Sequence, residues 1–212
     1  MKVLIVGGAP VTTWPHLETN YDLYIGVDRG SLFLTEQGCA VDLAIGDFDS
    51  LSELERKRVF EQAKQVVQAP AEKDDTDTQL ALSHVLASHP EATITLIGMT
   101  GGRIDHFLAN LWMVLEPRFK PYSEQIYLKD QQNSIQFLLP GQHVITRESG
   151  MKYLAYCCLT PVDELTLRDS KYTLTNQQVT DPISYASNEF LGDTASVSFK
   201  SGQIAVIQSK DK

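Results

Sequence analysis

In the first hundred residues, one apolar run after another stops on a polar turn. Residues 3–6 give way to Gly7-Gly8-Ala9-Pro10, and residues 23–27 to Asp28-Arg29-Gly30-Ser31. Residues 41–45 end in Gly46-Asp47-Phe48-Asp49-Ser50, and residues 93–97 in Gly98-Met99-Thr100-Gly101-Gly102-Arg103-Ile104-Asp105-His106. Short continuous runs of Val, Ile and Leu are the pattern of strands buried on both faces, as in a parallel sheet. Parallel strands need crossover connections, and helix-period segments supply them. Residues 51–64 space Leu51, Leu54, Val59 and Phe60 along one face. A second helix carries Leu80, Leu82, Val85 and Leu86 and should end near His89-Pro90. A third, over 104–115, has Leu108, Leu111, Trp112 and Leu115 on its inner stripe.

Residues 65–68 and 125–128 complete the strands of this half. From about residue 130 the pattern changes to period two, with regular turns and no helix. Residues 135–138, 144–146, 164–168 and 172–175 read as strands, and 196–199 with 204–207 as a hairpin around Ser201-Gly202. The expected architecture is therefore α/β followed by all-β. A Rossmann-like, mostly parallel sheet flanked by helices occupies 1–125, and an antiparallel β-sandwich occupies 130–212.

The formal net charge of −9 argues against a nucleic-acid or anionic-membrane surface. An acidic protein that handles polyphosphate needs a cation between itself and its substrate. Three cysteines, Cys39, Cys157 and Cys158, form no Cys-x-x-Cys pair and read as reduced thiols. No window reaches the length of a membrane span, and the apolar start is too short for a signal peptide. The expectation is a soluble, cytoplasmic protein.

The turns carry the chemistry. Ligands of open α/β sheets bind beyond the carboxyl ends of the strands. Asp47 and Asp49 stand there, able to converge on one hard cation such as Mg²⁺; alternatively Asp49 or Ser50 caps the next helix. Asp28 is either an acid facing a ligand or a helix N-cap, and Gly30 permits close approach. In Lys73-Asp74-Asp75-Thr76-Asp77-Thr78, three acids, a lysine and two threonines exceed what capping requires. Lys73 can neutralise a phosphate, and Asp77 can face the metal. Gly101-Gly102 opening a helix, with Arg103 beside it, suits an anion. Asp105 and His106 follow at the same turn. Gly7-Gly8 lacks the third glycine of a dinucleotide fingerprint, and Pro10 sits where the helix should open; the turn reads as a plain loop ahead of the alternative, a backbone turn that lets a ligand approach. His16, His84, His89 and His143 have no such context.

Taken in order, Asp28-Arg29-Gly30, Gly46-Asp47-Phe48-Asp49-Ser50, Lys73-Asp74-Asp75-Thr76-Asp77 and Thr100-Gly101-Gly102-Arg103-Ile104-Asp105-His106 resemble the catalytic motifs of thiamine pyrophosphokinases. Gly150-Met151-Lys152-Tyr153 and Ser187-Asn188-Glu189-Phe190 resemble that family's thiamine-binding half. The resemblance implies conversion of ATP and thiamine to AMP and thiamine diphosphate, by a homodimer whose active sites are completed across the subunit interface. It implies that Asp47, Asp49 and Asp77 hold Mg²⁺, with Asp28 and Asp74 as supporting acids and Lys73 and Arg103 on the phosphates. Gly30, Ser50, Thr76, Gly101, Asp105 and His106 would complete the ATP site, and Ser187 and Asn188 the thiamine end. Some family members stack a C-terminal aromatic, often Trp, on thiamine. Both tryptophans here, Trp14 and Trp112, lie in the first half, which leaves Tyr153, Tyr185 or Phe190 for that contact. The competing readings are a non-catalytic thiamine or nucleotide sensor, and a pyrophosphokinase acting on another small alcohol.

Overall fold

The strand β1 (Lys2–Val6) is fully buried from Val3 onward and has a parallel neighbour on each side. The computed structural model describes every residue except 18, 19, 71, 73 and 212. It divides the chain into two units, Met1–Gln131 and Gln132–Lys212.

In the first unit β1 is followed by β2 (Leu23–Val27), α1 (Arg29–Glu36), β3 (Leu43–Gly46), α2 (Glu53–Gln62), β4 (Gln65–Gln68), α3 (Asp77–Ser88), β5 (Thr93–Ile97), α4 (Ile104–Trp112) and β6 (Ile126–Lys129). The strands pair in the order β6-β5-β1-β2-β3-β4, all parallel. From β1 the chain steps outward through β2, β3 and β4, then returns to lay β5 and β6 on the other side. The order reverses between β1 and β5, and an open parallel sheet leaves its ligand crevice at such a switch point. Two glycines let the backbones meet there. A Cβ on Gly7 would lie 2.7 Å from Gly98 O, and one on Gly98, at φ +67°, would lie 2.6 Å from Gly7 O.

The helices differ in detail from the sequence reading. The cap of α2 is Ser52, in a reciprocal capping box with Glu55, so neither Asp49 nor Ser50 caps it. Leu54 is 81% exposed, because α2 turns little more than Val59 into the core. The segment 104–115 is not one helix: α4 stops at Trp112, which is 52% exposed. A three-residue 3₁₀ turn, Met113–Leu115, follows and carries Met113 and Val114 into the core instead.

The second unit has eight strands: β7 (Asn133–Leu138), β8 (Gly141–Thr146), β9 (Tyr153–Cys158), β10 (Val162–Arg168), β11 (Leu174–Val179), β12 (Ile183–Asn188), β13 (Thr194–Phe199) and β14 (Ile204–Ser209). They form antiparallel sets in the orders β12-β9-β14-β7 and β11-β10-β13-β8. Both sets contribute to one core, with Leu154, Tyr156 and Val206 from the first and Leu165, Leu167 and Val197 from the second. Strands β9 and β12 escaped the period-two pattern for opposite reasons. In β9 the half-buried Tyr153, Ala155 and Cys157 are as apolar as the buried Leu154, Tyr156 and Cys158; in β12 only Asn188 is fully buried. Among the described residues no helix is long and apolar enough to cross a membrane.

Candidate active site

A cavity of about 760 Å³ opens beyond the carboxyl ends of β1, β2, β3 and β5, and its walls are the turns that follow them. The chain leaves β2 at Asp28 with φ 47° and ψ −120°, a conformation a non-glycine residue adopts at a cost. Asp28 occupies the N-cap position of α1 but its carboxylate caps nothing there. The carboxylate reaches across to β3, where Oδ1 accepts from Phe48 N at 3.1 Å. Glycine at 46, φ +150°, makes room for it, since a Cβ there would lie 2.0 Å from Asp28 Oδ1. Gly30 serves the same corner from below. It lies outside the cavity lining, and its missing Cβ would lie 1.9 Å from Val6 O, so it lets α1 start against the end of β1.

After β3 the chain turns about Phe48, at φ 59°, whose ring is fully buried against Phe60 at 5.1 Å. The two flanking acids do not share the cavity. Asp47 is half-buried and lines it, with its Oδ1 accepting from Asp49 N at 3.0 Å. Asp49 is exposed and outside the lining, whereas Ser50 belongs to it and accepts from Arg29 Nη2 through its carbonyl. The entry to α3 brings the third acid. Thr76 caps the helix in a capping box with Gln79, and Asp77 is the first helical residue. Asp75, Thr76 and Asp77 line the cavity; Asp74 is exposed and does not, and Lys73 lies outside the described residues.

Asp28 feels the charge of both Asp77 and Asp47. Burial pushes the Asp28 carboxyl up to about 7, the negative Asp77 and then Asp47 add to it, and the Phe48 N–H bond opposes the rise.

The turn after β5 forms the opposite wall. Gly102, Arg103, Asp105 and His106 line the cavity, while Gly101, at φ +77°, shapes the turn without lining it. Arg103 is not an idle phosphate fork: its Nε and Nη2 donate to Asp105 at 3.2 and 2.6 Å. The pair is solvent-exposed and holds Asp105 well below the usual carboxylate range. The turn 7–10 after β1 is cavity wall throughout, which fits the second of its two readings, a turn open to close approach, better than a plain loop. Buried Asn110 lines the wall too and was not singled out in the sequence.

In the second unit Ser187 is exposed, with φ 60°, and Asn188 is 2% exposed. The Asn188 amide is engaged internally. Its Nδ2 donates to Tyr172 O at 2.8 Å and Ser170 Oγ at 3.3 Å, and its Oδ1 accepts from Tyr172 N and Glu189 N, each at 2.9 Å.

A parallel sheet whose switch point gathers acids and glycine turns around an open cavity defines an α/β protein with a crevice at the carboxyl ends of its strands, followed by an antiparallel β unit. Comparison with known proteins narrows this to a family. Residues 14–128 match the family model "Thiamin pyrophosphokinase, catalytic domain", and residues 142–204 match "Thiamin pyrophosphokinase, vitamin B1 binding domain". A thiamine pyrophosphokinase of Bacillus subtilis (strain 168) is 36% identical over 219 residues, covering all of both chains. A thiamin pyrophosphokinase family protein of Enterococcus faecalis superposes with a TM-score of 0.98 at 56% identity, again over all of both chains. The structure of a Bacillus subtilis thiamine pyrophosphokinase gives 0.87 at 34% identity with full coverage of each. The chain belongs to the thiamin pyrophosphokinase family.

Proposed function

We propose that the chain is a Mg²⁺-dependent thiamine pyrophosphokinase that moves the terminal diphosphoryl group of ATP to the hydroxyl of thiamine, giving AMP and thiamine diphosphate. The two family matches and the full-length likeness to a thiamine pyrophosphokinase support both the enzyme and its substrates. The observation that carries the reading to the residues is the crowding of Asp28 by Asp77 and Asp47 at the switch-point cavity.

The donor set fits Mg²⁺. Its atoms are carboxylate oxygens, which suit a hard cation. Among the described residues no three acids form a ready-made metal group. None is required, because Mg²⁺ is commonly held by one or two carboxylates, waters and the phosphates that arrive with it. Asp47 and Asp77 would hold it from the cavity wall and Asp49 from outside the lining, with Asp28 and Asp74 as supporting acids. When bound, the cation would draw negative charge from the phosphate oxygens.

The remaining work is positioning and electrostatics. The thiamine oxygen bonds to the β-phosphorus as the bond from that phosphorus to the α,β-bridging oxygen breaks. AMP leaves with the electron pair, and the hydroxyl proton passes to water or a carboxylate. Lys73 steadies the phosphates. Arg103 keeps Asp105 and offers its remaining N–H groups to them. Ser50, Thr76 and His106 complete the ATP side from the cavity wall, and Gly30 and Gly101 serve it by shaping the backbone behind. Ser187 is the thiamine contact, and Asn188 sets it by tying the 170–172 turn to β12.

The homodimer belongs to the same proposal. It is supported by α4, an apolar helix that leaves Ile104 74% exposed beside cavity residues Asp105 and His106. The three unbridged cysteines are consistent with the proposed cytoplasmic location.

Purified protein given ATP, thiamine and Mg²⁺ is expected to form AMP one-for-one with thiamine diphosphate, to stop on chelation and to resume when Mg²⁺ is restored. ADP in place of AMP would make it a γ-phosphoryl kinase; thiamine binding without either product would make it a sensor. In the same assay Gly46→Ala should lose turnover about tenfold or more, because the added Cβ displaces the Asp28 carboxylate. Its cost in stability, about 1–3 kcal/mol from the positive φ, is read from thermal unfolding.

A further inference from the structure

Arg118 lies in the turn between the 3₁₀ segment and β6, away from the cavity lining, and it is built into a continuous set of hydrogen bonds. Its Nη1 and Nη2 donate to Asp75 Oδ2 and Oδ1 at 2.8 and 2.6 Å, and its Nε donates to Glu116 Oε2 at 2.8 Å. The other Glu116 oxygen accepts from Gln79 Nε2. Gln79 Oε1 in turn accepts from Thr76 N at 2.7 Å, while Thr76 Oγ1 accepts from Gln79 N at 3.3 Å. The bonds therefore run from one turn to both residues that immediately precede Asp77. That turn is itself firm: Phe119 N and Lys120 N donate to Glu116 O at 2.9 and 2.8 Å, and the guanidinium sits 4.5 Å over the buried Phe119 ring.

Resting on the functional reading above, we propose that Arg118 is a positioning residue for the phosphate chemistry: through Asp75 and the Glu116–Gln79–Thr76 bonds it fixes the entry of α3, and so the place of the Asp77 carboxylate. Arg118 and Asp75 side chains are 42% and 26% exposed, and an ion pair so open to water adds little to folding stability. What it adds is direction. A planar fork that grips one carboxylate with two N–H groups and a second with a third fixes an angle that a lysine ammonium does not.

The test is steady-state kinetics with MgATP and thiamine varied separately, on the wild type, Arg118→Ala, Arg118→Lys, Asp75→Asn and the Arg118→Ala/Asp75→Asn double variant. Arg118→Ala should lower kcat/KM for MgATP by about 10- to 100-fold, the scale of a displaced catalytic group. The KM for MgATP should rise, which a mere loss of folded enzyme would not cause, and the KM for thiamine should stay within about twofold because the thiamine end is not touched. Arg118→Lys should fail to restore the rate, and the double variant should be no worse than the weaker single, as for residues acting through one contact. The proposal is overturned if Arg118→Ala stays within about threefold of the wild type, or if the two single losses multiply in the double variant. Should Arg118→Ala not fold, Asp75→Asn and Arg118→Lys carry the same comparison. A wild type that makes no thiamine diphosphate removes the functional reading itself, before any variant is compared.

Discussion

Asp47→Ala is expected to reduce thiamine diphosphate formation about 100-fold or more while leaving the protein folded. Asp47 is half-buried on the cavity wall, and the bond shown for its carboxylate is local, from Asp49 N at 3.0 Å. The turn itself is anchored by the buried ring of Phe48 next door. The negative charge of Asp47 also raises the Asp28 carboxyl, so removing it relieves a like-charge contact. The change in stability should therefore stay within about 1 kcal/mol and can be favourable, a trade common where a site is held strained for function. Turnover measured across a Mg²⁺ titration, beside a melting curve, separates the two effects. Near-normal turnover at limiting Mg²⁺ would sink the assignment of Asp47 to the metal.

Gly30→Ala should do the reverse and strike the fold first. The added Cβ would lie 1.9 Å from Val6 O, 2.6 Å from Val6 C and 2.9 Å from Gly7 O, and all three are backbone atoms of the central strand and its turn. No side chain can swing aside, so α1 must retreat from the sheet. Overpacking against backbone in this way should cost about 3 kcal/mol or more, a large part of the roughly 5–15 kcal/mol that holds a domain together. Gly192→Ala is the control, since a Cβ there meets nothing within 4 Å, and it should change stability by no more than about 0.5 kcal/mol. Equal melting temperatures for Gly30→Ala and Gly192→Ala would show that α1 does not start where it is placed.

The parts of the fold legible in the sequence are those that depend on local pattern. Buried runs ending in glycine or acid located β1, β2, β3 and β5, and His89 marks the end of α3 as expected. What stayed hidden depends on neighbours distant in the chain. The turn 7–10 reads as a plain loop until β1 and β5 are side by side, and only that adjacency makes it a cavity wall. Asp28 reads equally well as a cap or a ligand-facing acid; its φ of 47° and the gap left by Gly46 carry the carboxylate of this cavity-lining residue away from the helix start, to Phe48 N. The clasp of Arg118 on Asp75 spans 43 residues, a pairing no spacing rule reaches. Conversely, Leu54 and Trp112 fit a helical stripe but lie outside the core, since period alone does not say how wide a face the neighbouring elements cover. Asn188 sits in a motif that resembles a thiamine contact, yet its amide holds the 170–172 turn, a duty visible only once β12 is folded.

The most direct test of the account is a crystal structure of the protein with Mg²⁺, thiamine and a non-hydrolysable ATP analogue. The triphosphate is expected at the switch point, between the turn 7–10 and the turn 98–103, with a cation on Asp47 and Asp77. A nucleotide bound elsewhere, or a cation that touches neither acid, would contradict it.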